Sequence, residues 1–207
     1  MPRTFPAHVI TDDSALGGSV IERSLRFNDD DSTYLNRTPS SSSNRKTFTI
    51  SWWFKIGNLG TGSSSSTRAF FGAYDNSTSG NDGYYCSSSL GSDDKLYFGA
   101  WTQNWRATSR VFRDINAWYH CVVSVDTTQS TAADRVKIYI NGVEETSFST
   151  SNNPSQYYDL GWNFSSQLHT IGRVNYLTGS GPYSFDGYIA EFNSCLLYTS
   201  DAADDRV

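Results

Sequence analysis

The chain has 207 residues, a length that suits one all-β domain, and its formal net charge of −5 leaves no basic surface for nucleic acid. No apolar run approaches the roughly 20 residues that span a bilayer, so neither nucleic acid nor a membrane is an expected partner. Aromatic residues make up 15% of the chain, and serine and glycine fill the gaps between them, which favours many strands joined by turns.

The first residues and the cysteines indicate a folding compartment. Residues 1–23 form a lead segment that opens with MPRTFPAHVI, which has no continuous apolar stretch, so no signal peptide is predicted. Cys86, Cys121 and Cys195 are too widely spaced for a disulfide framework or a Cys-x-x-Cys metal pair. We therefore expect the chain to fold in a reducing compartment.

In chain order, short strand patterns at 24–27 and 33–38 precede the clearest one, FTISWWFKI. Its apolar side chains share one face: Phe48, Ile50, Trp52, Phe54 and Ile56. Trp53 lies on the opposite face with Thr49, Ser51 and Lys55, because successive side chains of a strand alternate. Trp52 is therefore expected in the core.

Further strand patterns follow at 68–74, 84–89, 95–102, 108–112, 118–125, 135–140, 169–174 and 187–192. The dipeptide Asn141-Gly142 supplies the two positive-φ positions of a type I′ hairpin. So many short strands without a helix cannot form one flat sheet. The predicted fold is all-β, a two-sheet antiparallel β-sandwich with serine-, glycine- and asparagine-rich loops at its rims.

Six sequence blocks come in a recognisable order: SLRFNDDDSTYL, FTISWWFK, AWYHCVVSVDTT, RVKIYINGVEE, HTIGR and FDGYIAEF. Together they resemble the concanavalin A-like lectin/glucanase superfamily in its laminin-G-like branch, especially the versions found in tailed-phage and marine viral proteins. The resemblance implies a jelly roll over residues 24–194 whose first and last strands are neighbours, and which often holds carbohydrate or Ca²⁺ at a rim. The superfamily includes enzymes and adhesive modules, so the fold does not by itself define the function.

The C-terminal residues CLLYTSDAADDRV do not continue the strand pattern. Cys195 to Asp204 can be reverse-translated as TGTCTCTTATACACATCTGACGCTGCCGAC, which resembles the read-through of a transposase-type sequencing-library adapter. We expect the natural reading frame to break near Ser194, so that residues 195–207 are a non-native tail on a metagenomic sequence from a longer protein. The alternative is an ordinary polar C-terminus.

Catalysis is not favoured by the acidic residues. Retaining glycosidases need two carboxyl groups about 5–5.5 Å apart, and the laminarinase-like members of the resembled superfamily place them as E-x-D-x-x-E. This sequence has no such motif, and Glu144 and Glu145 are adjacent, so they would point to opposite faces. A G-x-S-x-G elbow is also missing, and the sequence predicts a protein that is not an enzyme.

A calcium site is a weaker hypothesis. Asn28 to Ser32 place hard oxygen ligands in a turn, as Ca²⁺ prefers. In the resembled family the C-terminal block often reads F-D-G-x-I-D-E, but here Ala190 replaces the inner acid. The candidate ligands are Asp29, Asp31 and Asp186, with Asp75 and Asp82 in a second loop. The alternative is that the first group is only a solvated turn.

Carbohydrate binding is the expected activity, through aromatic side chains on rim loops. The candidate residues form two groups: Trp101, Gln103, Asn104 and Trp105, and Tyr158, Asp159 and Trp162. Aromatic rings stack on sugars while amides and carboxylates bind the hydroxyl groups. The alternative for each ring is a place in the core.

These observations favour a non-catalytic recognition or structural module of a phage virion, with a host surface glycan or other virion proteins as partners. A virion protein assembles in the host cytoplasm and needs neither a secretion signal nor disulfides. The first alternative is a bacterial extracellular lectin-like adhesin at the cell surface. A glycan-cleaving enzyme is the second alternative.

Overall fold

A computed structural model describes residues 23–63, 66–74, 86–100, 103–165, 167–174 and 183–196. Within these residues the chain forms fifteen strands, and the sandwich predicted from the alternation is confirmed. No helix in this part of the chain is long and apolar enough to cross a membrane.

One sheet has six antiparallel strands. Their order is β1 (Leu25–Phe27), β15 (Gly187–Leu196), β3 (Thr47–Ile56), β8 (Tyr119–Asp126), β9 (Val136–Ile140) and β10 (Val143–Glu144). Strand β1 pairs with β15, so the first and last described strands are neighbours, as the resemblance implied.

The second sheet has seven strands. Their order is β11 (Phe148–Ser151), β7 (Gln103–Val111), β6 (Lys95–Ala100), β5 (Cys86–Leu90), β4 (Arg68–Tyr74), β12 (Leu168–Ile171) and β2 (Leu35–Arg37). A separate pair, β13 (Arg173–Val174) and β14 (Tyr183–Ser184), packs Val174 and Tyr183 against Ala69 and Tyr74 of this sheet.

The core lies between the two large sheets, and the alternation in β3 accounts for much of it. Trp52 is fully buried, and its ring centroid lies 5.4 Å from that of Phe70 and 5.2 Å from that of Phe71 on the facing sheet. Trp53 is only half-buried on the outer face. Both placements agree with the sequence pattern.

The Asn-Gly hairpin is also confirmed. Asn141 and Gly142 have φ values of 52° and 79°, the left-handed region that a type I′ turn requires. Val143 then pairs with Ile140, so the turn sets the register of β9 and β10.

Strand β15 continues past Ser194, where the sequence placed the end of the domain. Cys195 pairs with Thr49 and Leu196 with Phe48. A strand ladder uses main-chain N–H and C=O groups that every non-proline residue carries, so the side-chain pattern could not show this extension. The origin of residues 195–207 stays a prediction, and residues 197–207 lie outside the described part of the chain.

Candidate functional site

A polar cleft opens at the rim where β1 and β3 end, and we call it the rim cleft. Its volume is about 440 Å³, within the range of small-molecule sites. Most of its described lining residues carry hydrogen-bonding side chains. The full lining is Asp29, Ser32, Asn58, Leu59, Thr61, Ser66, Thr67, Arg68 and Ser184. Leu59 is the apolar one among them.

The base of the rim cleft is formed by Arg68, at the start of β4, which is only 2% exposed. Its Nη1 donates to the carbonyl of Asn58 at 2.6 Å. Its Nη2 donates to the carbonyl of Gly91 at 2.9 Å and to Asp94 Oδ1 at 2.7 Å. A buried guanidinium needs such partners, because removing it from water is otherwise costly.

Asp94 connects three segments beneath the cleft. Its Oδ1 accepts the main-chain N–H of Gly60 at 2.6 Å, and its Oδ2 accepts Arg113 Nε at 2.9 Å. Burial alone would raise the pKa of Asp94, but the hydrogen bonds from Gly60, Arg113 and Arg68 outweigh it and hold the pKa below its usual value. Asp94 is therefore a carboxylate at neutral pH.

Gly60 makes this connection possible. A Cβ at this position would lie 2.2 Å from the carbonyl oxygen of Ser92 and 2.9 Å from Asp94 Oδ1. The loop after β3 can therefore approach the turn between β5 and β6 only with glycine at position 60.

Two polar atoms of the cleft residues are left without partners. Among the described residues, neither Arg68 Nε nor Asn58 Oδ1 has a hydrogen-bond partner, and both atoms are buried. A buried polar atom without a partner costs about 1–3 kcal/mol.

The calcium candidates do not form one centre. Asp186 pairs with Arg26 at 2.5 Å, which supplies the positive charge that a metal would otherwise provide. Asp31 instead accepts a hydrogen bond from Asn28 at 2.8 Å, and Asp29 lines the rim cleft. In the described ranges no three Asp, Glu, His or Cys side chains converge to hold an ion, and Ca²⁺ binding by these three carboxylates stays a prediction.

The second calcium loop lies outside the described residues, since it comprises Asp75 and Asp82. Calcium binding by that loop stays a prediction.

The choice of Trp105 as a stacking platform is wrong. Strand β7 begins at Gln103 and not at residue 108, so Trp105 belongs to a strand and its side chain enters the core. The ring is 1% exposed and lies 6.0 Å from Phe98 and 5.5 Å from Tyr158, centroid to centroid. A sugar cannot reach a ring that is buried in this way.

Trp162 is likewise a core residue, 5% exposed. Its ring lies 5.2 Å from Phe71 and 4.6 Å from His169, and its Nε1 donates to Ser194 Oγ at 2.8 Å. The loop between β11 and β12 thus folds inward and adds its aromatic ring to the core.

The other candidates do not form a common platform. Tyr158 is half-buried against Trp105, and Asp159 forms an ion pair with Lys46 at 2.9 Å. Asn104 is exposed. Gln103 pairs with Ala100 through its main chain, and its side chain lies outside the described residues, as does Trp101.

The rim cleft was missed because its residues come from four separate segments. Arg68 opens an apolar strand, where a charged residue is ordinarily taken as exposed. Its partner Asp94 lies in the turn GSDDK, 26 residues further on. The repeated serines and threonines before Arg68 were the available signal, since they supply three of the lining hydroxyls.

Residues 29–194 match the family model of the concanavalin A-like lectin/glucanases superfamily, in its laminin G group. The chain belongs to this family. No curated protein matches the sequence closely enough to be compared with it.

Solved structures resemble this chain at low sequence identity. The native heptameric SAP-like pentraxin of Limulus polyphemus is 16% identical with a TM-score of 0.50, over 79% of this chain and 70% of that chain. Domains LG4-5 of the mouse laminin alpha1 chain are 13% identical with a TM-score of 0.49, over 78% of this chain and 38% of that chain. The CBM40 of Ruminococcus gnavus IT-sialidase, bound to alpha2,3 sialyllactose, is 11% identical with a TM-score of 0.48, over 80% of this chain and 94% of that chain. At 16% identity, the likeness to the pentraxin shows the fold alone.

Proposed function

We propose that this chain is a non-catalytic carbohydrate-binding module of a phage virion, and that the rim cleft holds the sugar. The family contains lectins and glucanases, which supports a saccharide ligand without specifying a site. The virion setting rests on the likeness of the sequence blocks to phage versions of the domain.

The observation that carries the proposal is the polar lining of the cleft on a firmly held base. Asp29 offers carboxylate acceptors, while the hydroxyls of Ser32 and Thr67 can both donate and accept. Sugar hydroxyls also both donate and accept, so they complement such a surface at every point. Arg68 and Asp94 hold the base before a ligand arrives, which lowers the entropy lost on binding.

The charges of the cleft favour binding over hydrolysis. Asp29 is the only carboxylate among its described lining residues, whereas glycoside hydrolysis ordinarily needs two. Asp94 lies beneath it and is engaged by Arg68 and Arg113.

The same charges favour a neutral sugar. The positive charge of Arg68 is balanced by Asp94, so the exposed carboxylate of Asp29 is left facing a ligand. An acidic sugar would be repelled there. The proposed ligand is therefore a neutral residue of a host surface glycan.

The buried cysteines fit folding in the host cytoplasm. Cys86 and Cys121 are free and fully buried in the core, and burial raises the pKa of both thiols above its usual value. Buried thiols of this kind are unreactive. Proteomics of purified virions tests whether the protein is part of a virion. A gene that lies beside a secretion cassette would instead favour the extracellular adhesin.

A glycan array of neutral and acidic sugars tests the ligand, followed by calorimetry on the strongest neutral binder. Asp29→Asn should weaken that binding about tenfold, the loss expected for one charged hydrogen bond of about 1.4 kcal/mol. Asp30→Asn is the matched control, because Asp30 is exposed in the same turn and does not line the cleft. An array without any binder, or equal effects of both variants, would reject the rim cleft.

A further inference from the structure

The outer face of the six-stranded sheet carries aromatic side chains that the rim cleft does not use. We call Trp53, Trp118, His120 and Tyr188 the sheet-face cluster. Trp53 lies on β3 and Tyr188 on β15, each on the face opposite to the core, because Trp52 and Ile189 beside them point inward. Strands β15, β3 and β8 are neighbours, and Trp118 directly precedes β8, so the four side chains come together on this face.

The strand register arranges these rings in two rows. Trp53 pairs with His120, and their rings are stacked at 4.8 Å with 28° between their planes. Tyr188 pairs with Lys55, two residues further along β3, and Trp118 lies 6.4 Å from Tyr188. Two residues along a strand correspond to roughly 6.8 Å, so the two rows are adjacent on one face of the sheet.

The rings are accessible and have polar neighbours. Tyr188 is 39% exposed, and the other three are half-buried. The guanidinium of Arg26 lies 5.4 Å from the Tyr188 ring centroid. Burial lowers the pKa of His120, although Glu191 opposes this effect, so the imidazole stacks on Trp53 as a neutral ring at pH 7.

This combination fits a sugar chain. Sugar rings present C–H groups that pack on aromatic rings, and their hydroxyls need hydrogen-bonding groups at the edges of the same surface. Lys55, Arg26 and Glu191 supply those groups. A protein interface of standard size would instead need about 800 Å² per partner with charged residues depleted at its centre, and here Lys55 lies between Tyr188 and Trp118.

We propose that the sheet-face cluster is a second carbohydrate-binding surface, which takes successive rings of an extended polysaccharide chain. It shares only the ligand class with the rim cleft, and the two surfaces can be removed separately. The cleft would bind one sugar unit, while the sheet face would bind along a chain.

Retention on three insoluble polysaccharides tests the proposal: cellulose, chitin and a β-1,3-glucan. The wild type should be retained on at least one of them. Trp53→Ala and Tyr188→Ala should each weaken retention about tenfold, whereas Trp53→Phe, which keeps an aromatic ring, should lose much less. Tyr188→Ala keeps the test valid if Trp53→Ala does not fold, because Tyr188 is exposed.

Tyr157→Ala is the matched control, since Tyr157 is 61% exposed and its main-chain N–H donates to Thr127, which follows β8 at the end away from Trp118 and His120. It should bind as the wild type does. Trp53→Ala should leave the affinity of the rim cleft for its soluble sugar unchanged, which separates the two surfaces. No retention on any of the three solids, or retention that survives both cluster variants, would overturn the inference while the cleft proposal stands. A change of oligomeric state without a change in retention would overturn it in favour of a protein contact.

Discussion

The rim cleft and the sheet-face cluster hold their side chains in different ways. In the cleft, Arg68 keeps its position because a buried carboxylate, Asp94, binds it from below. In the cluster, Trp53 keeps its position because the register of β3 and β8 sets it beside His120. The cleft therefore depends on a buried ion pair and should fail together with the fold. The cluster depends on the sheet, which most single substitutions at its surface leave intact.

The largest effect is expected from Asp94→Ala. This change leaves the buried Arg68 without its carboxylate, which typically costs about 3–5 kcal/mol. Urea unfolding monitored by tryptophan fluorescence measures the loss. Asp93→Ala is the control, because Asp93 is partly exposed and pairs with Lys95 at the surface, a contact worth less than about 1 kcal/mol. Equal losses for the two variants would contradict the central role of Asp94.

Gly60→Ala tests the close approach beneath the cleft. The added methyl group overlaps the Ser92 carbonyl, so the loop after β3 must move away from Asp94. We expect a loss of about 1–3 kcal/mol together with weaker binding at the cleft. The control is Ser63→Ala, a change in the loop that contains Gly60. Gly142→Ala is not suitable as a control, because the φ of Gly142 is positive. A wild-type affinity in Gly60→Ala would show that the cleft tolerates the shift.

The pH dependence of stability sharpens the same comparison. The pKa of Asp94 is lower in the folded chain than in the unfolded one, so its stabilisation is present above the unfolded pKa of about 3.9. It is lost as the pH falls through the lower folded pKa. Acid titration of Asp94→Asn should therefore show a smaller fall in unfolding free energy below about pH 4 than the wild type. Parallel curves would mean that Asp94 does not contribute.

Trp53→Ala should have the smallest effect on folding. A cross-strand pair contributes about 0.2–1 kcal/mol, so thermal unfolding should change little while polysaccharide retention falls. Trp105→Ala is the contrasting variant, since truncating that buried ring should cost about 3–5 kcal/mol. A large destabilisation by Trp53→Ala would assign the outer ring to the structure of the sheet.

The strands were predictable because burial in a sandwich repeats every second residue. Trp52 and Trp53 are adjacent, and their alternation placed one inside and the other outside, as the structure confirms. The Asn141-Gly142 turn was predictable for a similar reason, since few residue pairs tolerate two positive φ values.

The sites were less predictable because they depend on contacts between distant segments. Trp105 looked like a loop residue because its neighbours are polar, but the β6–β7 hairpin extends to Gln103 and carries the ring inside. Arg68 and Asp94 come into contact only when β4 pairs with β5 and β5 pairs with β6. The outer position of Trp53 was predicted from the alternation. Its proximity to Tyr188 and Trp118 could not be predicted, because it depends on the order of the strands in the sheet.

The pairing of β1, β15 and β3 also determines which end of the sheet lies next to the rim cleft. Phe27, Gly187 and Ile56 stand in register at one end of the sheet, next to the rim cleft, while Leu196 pairs with Phe48 at the other. The ten residues of β15 correspond to roughly 34 Å of strand. The last described residue, Leu196, therefore lies at the end of the sheet opposite the rim cleft, where it cannot obstruct a ligand that enters the cleft.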